Sequence, residues 1–253
     1  MAIKLAVAGK GGVGKTTLTA ALARSLAKRG ESVVAVDADP NNCLGRALSF
    51  PEDLLTQSVP LSEMKDLLAK RAGKGEGGSF FALDPEVGDL LGRFQVEHAG
   101  VSLLVMGTVD EPGAGCVCPE SAVLKALVRH LVGLPDLAVV MDMEAGLEHL
   151  GRGTAQYIGA LLIVSEPNPA SARTAARIAR LARGLGLRLP GVVMNRVASP
   201  TDVERVRSLL DGMEVIAELP WDETVARSEA VPEAGPYADA VEAVFLAIGQ
   251  QSN

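Results

Sequence analysis

The stretch that decides the fold of this chain is Gly9-Lys10-Gly11-Gly12-Val13-Gly14-Lys15-Thr16-Thr17. It lies between a short apolar run, Ile3–Ala8, and a pattern typical of a helix, Thr17–Lys28. Its glycines match the pattern G-x-G-x-x-G, and the whole stretch also matches the P-loop pattern G-x-x-x-x-G-K-[ST]. The two patterns imply different ligands.

Lys15 and Thr16 distinguish between the two motifs. A lysine ammonium reaches the β- and γ-phosphates of a nucleotide and a threonine hydroxyl ligates Mg²⁺, functions that a nicotinamide cofactor does not need. The backbone N–H groups of the glycine-rich loop and of the following helix N-terminus then bind the phosphates. We therefore expect residues 9–17 to bind a nucleoside triphosphate with Mg²⁺.

Short apolar runs alternate with helical patterns along the rest of the chain. Continuous hydrophobic strands separated by helices are typical of a parallel sheet that is covered on both faces. The sequence therefore predicts an α/β fold, a doubly wound, mostly parallel sheet flanked by helices, in a single domain spanning residues 1–253. The exception is Gly73–Arg93, whose glycine-rich sequence predicts an irregular surface excursion. The expected strands begin at Ile3, Ser32, Val101, Leu137, Ala160, Gly191 and Val215.

The composition of the chain argues against two classes of partner, nucleic acids and membranes. The chain has 253 residues, 48% of them hydrophobic, and a net charge of −7. This charge opposes binding to a phosphate backbone, so we expect no nucleic acid partner. No apolar stretch approaches the roughly 18 residues of a membrane span, so we expect no membrane partner and a cytoplasmic protein. In the cytoplasm thiols stay reduced, which disfavours a structural disulfide.

Carboxylates follow two of the predicted strands. Asp37 and Asp39 end the second strand, where ligands bind in open α/β sheets. The sequence does not decide whether Asp37 is a carboxylate near Mg²⁺ or a cap at the end of the strand. Asp142 follows the apolar run Leu137–Met141.

With its second lysine, Lys10, the loop resembles the deviant Walker A motif of the MinD/ParA/nitrogenase-iron-protein group of ATPases. The resemblance implies that Lys10 reaches the partner's phosphates across an ATP-bound homodimer. It also implies that Asp39 orients the attacking water and that Asp142 is the Walker B aspartate, which holds Mg²⁺ through water. Lys10, Lys15 and Asp39 are then the predicted catalytic residues.

The same resemblance assigns residues near the C-terminus to the base. Asn195, followed by Arg196, resembles the asparagine with which the family recognises adenine. Pro220-Trp221-Asp222 resembles the loop that closes over the base. Trp221 is the single tryptophan of the chain. The sequence is compatible with packing of Trp221 in the core and with a position beside the nucleotide.

Two of the three cysteines, Cys116 and Cys118, are separated by one valine. A twofold axis would combine two such pairs into four sulfurs, enough for tetrahedral Zn²⁺ or square-planar Ni²⁺. Cys116-Val117-Cys118-Pro119, with the stretch 141–153, resembles the CooC-type nickel-insertion ATPases. The resemblance implies an ATP-dependent metallochaperone that delivers Ni²⁺ into the active-site cluster of its client, carbon monoxide dehydrogenase. Zn²⁺ remains open as a substitute for Ni²⁺.

Other interpretations remain open from the sequence. A related branch of the family acts on acetyl-CoA synthase, and the order of the nucleotide and metal steps is undetermined. An electron donor like the nitrogenase iron protein fits poorly, because its ligand cysteines are far apart in sequence. A MinD-like membrane role also fits poorly, because the stretch 237–242 is acidic where a membrane-binding helix would be basic, and a ParA-like DNA role fits poorly because it would need a basic surface. A Cys116–Cys118 redox switch is a further alternative. We expect Cys43 to be a buried, unreactive thiol, and the roles of Glu144 and His149 stay undetermined.

Overall fold

The computed structural model describes residues 2–73, 85–107, 119–143, 158–228 and 230–250. Within these ranges eight strands form one sheet in the order β3-β4-β2-β5-β1-β6-β7-β8. Only β3 runs antiparallel to its neighbour, β4. The strands are β1 (Lys4–Gly9), β2 (Ser32–Ala38), β3 (Val96–His98), β4 (Val101–Val105), β5 (Leu137–Met143), β6 (Ala160–Ser165), β7 (Val192–Val197) and β8 (Val215–Pro220).

Helices connect the parallel strands. The longer ones are α1 (Lys15–Lys28), α6 (Pro119–Gly133), α7 (Pro169–Gly184), α8 (Pro200–Arg207) and α10 (Pro236–Gln250). The shorter ones are α2 (Leu44–Ala47), α3 (Glu52–Leu55), α4 (Lys65–Arg71), α5 (Leu90–Phe94) and α9 (Glu223–Arg227), with a 3-10 turn at Leu61–Glu63. None of the helices in the described ranges is long and apolar enough to cross a bilayer.

Two apolar layers cover the sheet, one on each face. Alternate residues of β1 point to opposite faces, so Ala8 packs in one layer with α6 and α7, and Val7 packs in the other with α1 and α10. Burial on both faces explains why most of the parallel strands are continuous runs of Val, Leu, Ile and Ala. The fold class expected from the sequence, a doubly wound and mostly parallel sheet, is confirmed.

The sheet places its functional residues at one edge. β1 lies between β5 and β6, and β2 pairs with β5, so that Asp37 is directly opposite Asp142. Both carboxylates are at the carboxyl ends of their strands, the edge where ligands bind in open α/β sheets. Gly9 ends β1 at the same edge, and an added Cβ there would lie 2.4 Å from the Val164 carbonyl oxygen.

One expectation about the fold is wrong. Gly73–Arg93 is not a surface excursion throughout, because Val87 and Leu90 within it are 6% and 0% exposed and belong to the core. Leu90 begins α5, which leads into β3. The rest of that stretch, residues 74–84, lies outside the described residues.

Candidate active site

The P-loop backbone takes a conformation that only some residues tolerate. Gly12 and Gly14 have φ angles of +81° and +94°, in the left-handed region that glycine adopts without strain. A Cβ at Gly14 would lie 2.2 Å from the Asn195 side-chain nitrogen. Glycine at position 14 therefore satisfies both the turn and the close approach of β7.

Lys15 and Thr16 begin α1 and point to the carboxylate edge. Lys15 is 6% exposed, and its Nζ lies 3.8 Å from Asp39 Oδ2. The Thr16 hydroxyl donates a hydrogen bond of 2.5 Å to Asp142 Oδ2. The structure thus brings together Lys15, Thr16, Asp39 and Asp142, four of the five residues on which the predicted chemistry depends.

Asp37 and Asp142 are both fully buried. Burial raises the pKa of Asp142 to about 7, against the opposing effect of the Thr16 hydrogen bond. Burial also raises the pKa of Asp37 to about 6, although the carboxylate accepts hydrogen bonds from the backbone N–H groups of Leu44 and Asp39. These two bonds give Asp37 the role of fixing the loop after β2.

Asp39 is the carboxylate closest to the lysine. Its Oδ1 accepts hydrogen bonds from the backbone and side-chain nitrogens of Asn41, at 3.0 Å and 2.8 Å. Its Oδ2 faces Lys15. The geometry therefore holds Asp39 at the phosphate end of the site.

The donor set at this edge fits Mg²⁺. Asp142 Oδ1 is buried and has no hydrogen-bond partner among the described residues, and the Thr16 hydroxyl is beside it. These are hard oxygen donors, and Mg²⁺ in nucleotide sites takes one or two protein ligands besides phosphates and water. No group of three or more His, Cys, Asp or Glu side chains with metal-binding geometry occurs within the described ranges.

Lys10 differs from Lys15 in its surroundings. It is exposed, and it forms no ion pair with any residue that the structure describes. An exposed, uncommitted cation in the phosphate loop has the freedom to reach a group outside its own chain.

The base side of the site lies between the P-loop and β7. Asn195 is 4% exposed, and its Nδ2 donates a 2.7 Å hydrogen bond to the carbonyl oxygen of Val13. Asn195 Oδ1 has no partner among the described residues. Gly14, Thr17 and Asn195 line a cavity of about 80 Å³ that adjoins the phosphate loop.

Arg196 and Trp221 form the outer wall of this cavity. Trp221 is 55% exposed, so it does not pack in the core. The Arg196 guanidinium lies 6.0 Å from the centre of the indole ring and forms an ion pair with Glu166. Arg196 has a φ of +59°, a strained value for a non-glycine residue and one that clusters at functional sites.

Pro220 and Asp222 line the same cavity. Pro220 ends β8, and Asp222 caps α9 by accepting hydrogen bonds from the backbone N–H groups of Thr224 and Val225, at 2.8 Å and 3.2 Å. The sequence pattern did not predict this capping role.

The expectation for Cys43 is wrong in one respect. Cys43 is exposed, not buried, and its thiol lies 3.3 Å from the carbonyl oxygen of Asn41. Partial desolvation, and the nearby carboxylates of Asp37 and Asp39, raise the pKa of the thiol.

Several predicted residues lie outside the described residues. They are Cys116 and Cys118, together with Glu144 and His149. Conversely, sequence analysis missed Glu166 and Tyr237. Glu166 could have been predicted from the sequence, because it directly follows β6 at the same edge of the sheet as the other carboxylates. The local sequence around Tyr237 contains no pattern that points to the site.

Fold and site together define a P-loop ATPase with the deviant loop of the MinD and ParA type. The CobQ/CobB/MinD/ParA nucleotide binding domain model matches residues 4–233, and the chain belongs to this family.

Two relatives and one solved structure show where the chain lies within the family. The carbon monoxide dehydrogenase accessory protein CooC of Rhodospirillum rubrum is 43% identical over 92% of this chain and 88% of its own. An uncharacterised ATP-binding protein of Methanocaldococcus jannaschii is 41% identical over 90% of this chain and 88% of its own. The MinC:MinD cell division complex of Aquifex aeolicus contains a chain of the same fold, with a TM-score of 0.70 at 20% identity, covering 100% of this chain and 96% of that one. The resemblance to CooC-type ATPases is thereby confirmed.

Proposed function

We propose that this protein is an ATP-dependent metallochaperone that hydrolyses ATP as a homodimer and delivers nickel to carbon monoxide dehydrogenase. The observation that carries the proposal is the meeting of Lys15, Thr16, Asp39 and Asp142 at one edge of the sheet. It occurs in a chain that is 43% identical over 92% of its length to a carbon monoxide dehydrogenase accessory protein.

The residues at this edge divide the chemistry of hydrolysis. Lys15 neutralises charge on the β- and γ-phosphates, and its ion pair with Asp39 positions both side chains before the nucleotide arrives. Thr16 and Asp142 would hold Mg²⁺, and the ion would neutralise charge on the phosphates. Asp39 accepts a hydrogen bond from the attacking water and fixes its direction.

Dimerisation completes the site in this proposal. Lys10 is exposed in the phosphate-binding loop, so it is available to the γ-phosphate of a nucleotide bound by a partner, in the manner of an arginine finger. ATP then joins the two protomers, and hydrolysis removes the group that joins them.

Nickel is the cargo of the reaction. Two Cys116/Cys118 pairs from two protomers would supply four thiolates, the soft donors that bind Ni²⁺ or Zn²⁺. The connection that carries these cysteines follows β4, which ends at Val105 next to β2, and precedes α6, which begins at Pro119. Its starting point is therefore at the nucleotide edge.

Equilibrium dialysis of Ni²⁺ against the ATP-loaded protein tests the proposal. We expect about one metal ion per dimer, lost in Cys116→Ala while ATP hydrolysis persists. Cys43→Ala is the matched control, because its exposed thiol lies outside the pair. Stoichiometric binding that survives in Cys116→Ala/Cys118→Ala would refute nickel delivery by this motif. The client is tested by adding the nickel-loaded protein to nickel-free carbon monoxide dehydrogenase and, as a control, to nickel-free acetyl-CoA synthase. We expect only the dehydrogenase to be activated.

A further inference from the structure

Two residues that line the base cavity each carry a buried polar atom with no partner among the described residues. One is Asn195 Oδ1, and the other is the hydroxyl of Tyr237, a residue 1% exposed that lines the same cavity from α10. A buried, unpaired polar group is costly and uncommon, and an absent ligand is one of its ordinary explanations. Two such residues lining one cavity indicate a ligand with two complementary groups.

Tyr237 lines the cavity, and its hydroxyl is buried. Burial raises the pKa of this hydroxyl, the guanidinium of Arg196 lowers it and the carboxylate of Asp222 raises it. Both charged residues line the cavity, so the hydroxyl lies within their electrostatic reach. With a raised pKa the hydroxyl stays protonated at neutral pH and is available as a donor.

The hydrogen-bonding character of the pair is asymmetric. Because Asn195 Nδ2 is committed to the carbonyl oxygen of Val13, the atom left for a ligand is the acceptor Oδ1. Tyr237 contributes an O–H donor. Adenine presents a donor, its exocyclic amine, next to ring-nitrogen acceptors, whereas guanine presents an oxygen acceptor at the position of that amine.

Resting on the proposed ATPase function, we propose that Tyr237 determines base specificity by donating a hydrogen bond to a ring nitrogen of adenine. Asn195 Oδ1 accepts from the exocyclic amine at the same time. A guanine oxygen would face Asn195 Oδ1, acceptor against acceptor, so the pair selects ATP over GTP.

The test compares Tyr237→Phe with the unchanged protein, using ATP, 7-deaza-ATP and 1-deaza-ATP as calorimetric probes. Each analogue lacks one ring nitrogen next to the amine. We expect Tyr237→Phe to weaken the binding of ATP roughly 5- to 20-fold. The binding of one of the two analogues should not change, because that analogue lacks the ring nitrogen that accepts the hydrogen bond from Tyr237. Thr224→Val removes an exposed hydroxyl outside the cavity and should leave the affinity for ATP unchanged.

Thermal unfolding without nucleotide separates a structural role from the proposed one. Tyr237→Phe should keep or raise the Tm, because it removes an unpaired buried hydroxyl. Unchanged ATP affinity, or an equal loss for ATP and both analogues together with a lower Tm, would overturn the assignment of Tyr237 while leaving the ATPase proposal intact. If the unchanged protein bound no ATP, both proposals would fall.

Discussion

At the scale of single residues, the burial of Asp142 has an energetic consequence. Its pKa of about 7 lies above the ordinary 3.8, so the folded protein binds a proton that the unfolded chain has released. Its contribution to the free energy of unfolding therefore falls as pH rises from about 4 to about 7 and stays low above that. The buried carboxylate is suited to binding a cation, but when no cation is bound it lowers the stability of the folded protein.

Asp142→Asn should remove this cost. At pH 8 and without nucleotide, we expect the variant to be more stable than the parent protein, with the Tm rising by about 2–4 °C for each kcal/mol recovered. The gain should shrink at pH 5, where the parent carboxyl is protonated. Differential scanning calorimetry at the two pH values measures the effect. An equal loss of stability at both pH values would contradict a buried charge as the cause.

Lys10→Ala separates binding from hydrolysis. Because Lys10 is exposed and forms no ion pair with the described residues, its removal should leave the Tm unchanged. ATP binding to the monomer should change by no more than a few-fold, while kcat falls at least about 100-fold if the lysine acts on a partner's phosphates. Lys65→Ala, another exposed lysine, is the control. Normal turnover in Lys10→Ala would exclude a role in trans.

Some residues of the site are predictable from sequence and others are not. Gly9, Lys15, Thr16 and Asp142 belong to short motifs whose spacing reflects local backbone chemistry, and the structure brings them together. Tyr237 follows Lys15 by more than 200 positions, and its unpaired hydroxyl is visible only after α10 packs against β8. Partners of this kind depend on tertiary packing, which no local pattern encodes.

At the scale of elements, the strands that cross the core were easier to predict than the short connections. Most of the seven parallel strands are apolar on both faces and stand out as continuous runs. β3 has three residues, Val96–His98, and α2 and α3 have four each, too few for a period to show. Their positions follow from packing against neighbours rather than from their own sequence.

The α9 cap links an element end to the base cavity. Asp222→Ala should lower the Tm by about 2–4 °C, because losing an N-cap costs about 1 kcal/mol. ATP affinity should fall as well, since Val225 and Ala226 of α9 line the cavity. Asp222→Asn preserves a capping oxygen, so its losses of Tm and of ATP affinity should both be much smaller. Thermal melts and nucleotide titrations measure the two quantities. Equal losses in the two variants would mean that the charge matters, not the cap.

At the scale of the whole molecule, the proposed nucleotide and metal functions meet at one edge of the sheet. β2 carries Asp37 and is followed directly by Asp39, and its neighbour β4 leads into the connection that contains Cys116 and Cys118. β5, on the other side of β2, carries Asp142. A nucleotide that rearranges two protomers at this edge would act on both cysteine pairs at once.

Such coupling must be reciprocal. If ATP and Ni²⁺ both favour the same dimer, ATP should tighten Ni²⁺ binding by the factor by which Ni²⁺ tightens ATP binding, typically about 5- to 150-fold. The two factors are measured by titrating each ligand with and without the other, using a slowly hydrolysed ATP analogue. Lys10→Ala should weaken both effects although its cysteines are intact, and Cys116→Ala/Cys118→Ala should abolish coupling while retaining nucleotide binding. Tight Ni²⁺ binding that is indifferent to the analogue would place the metal site outside the nucleotide-dependent dimer.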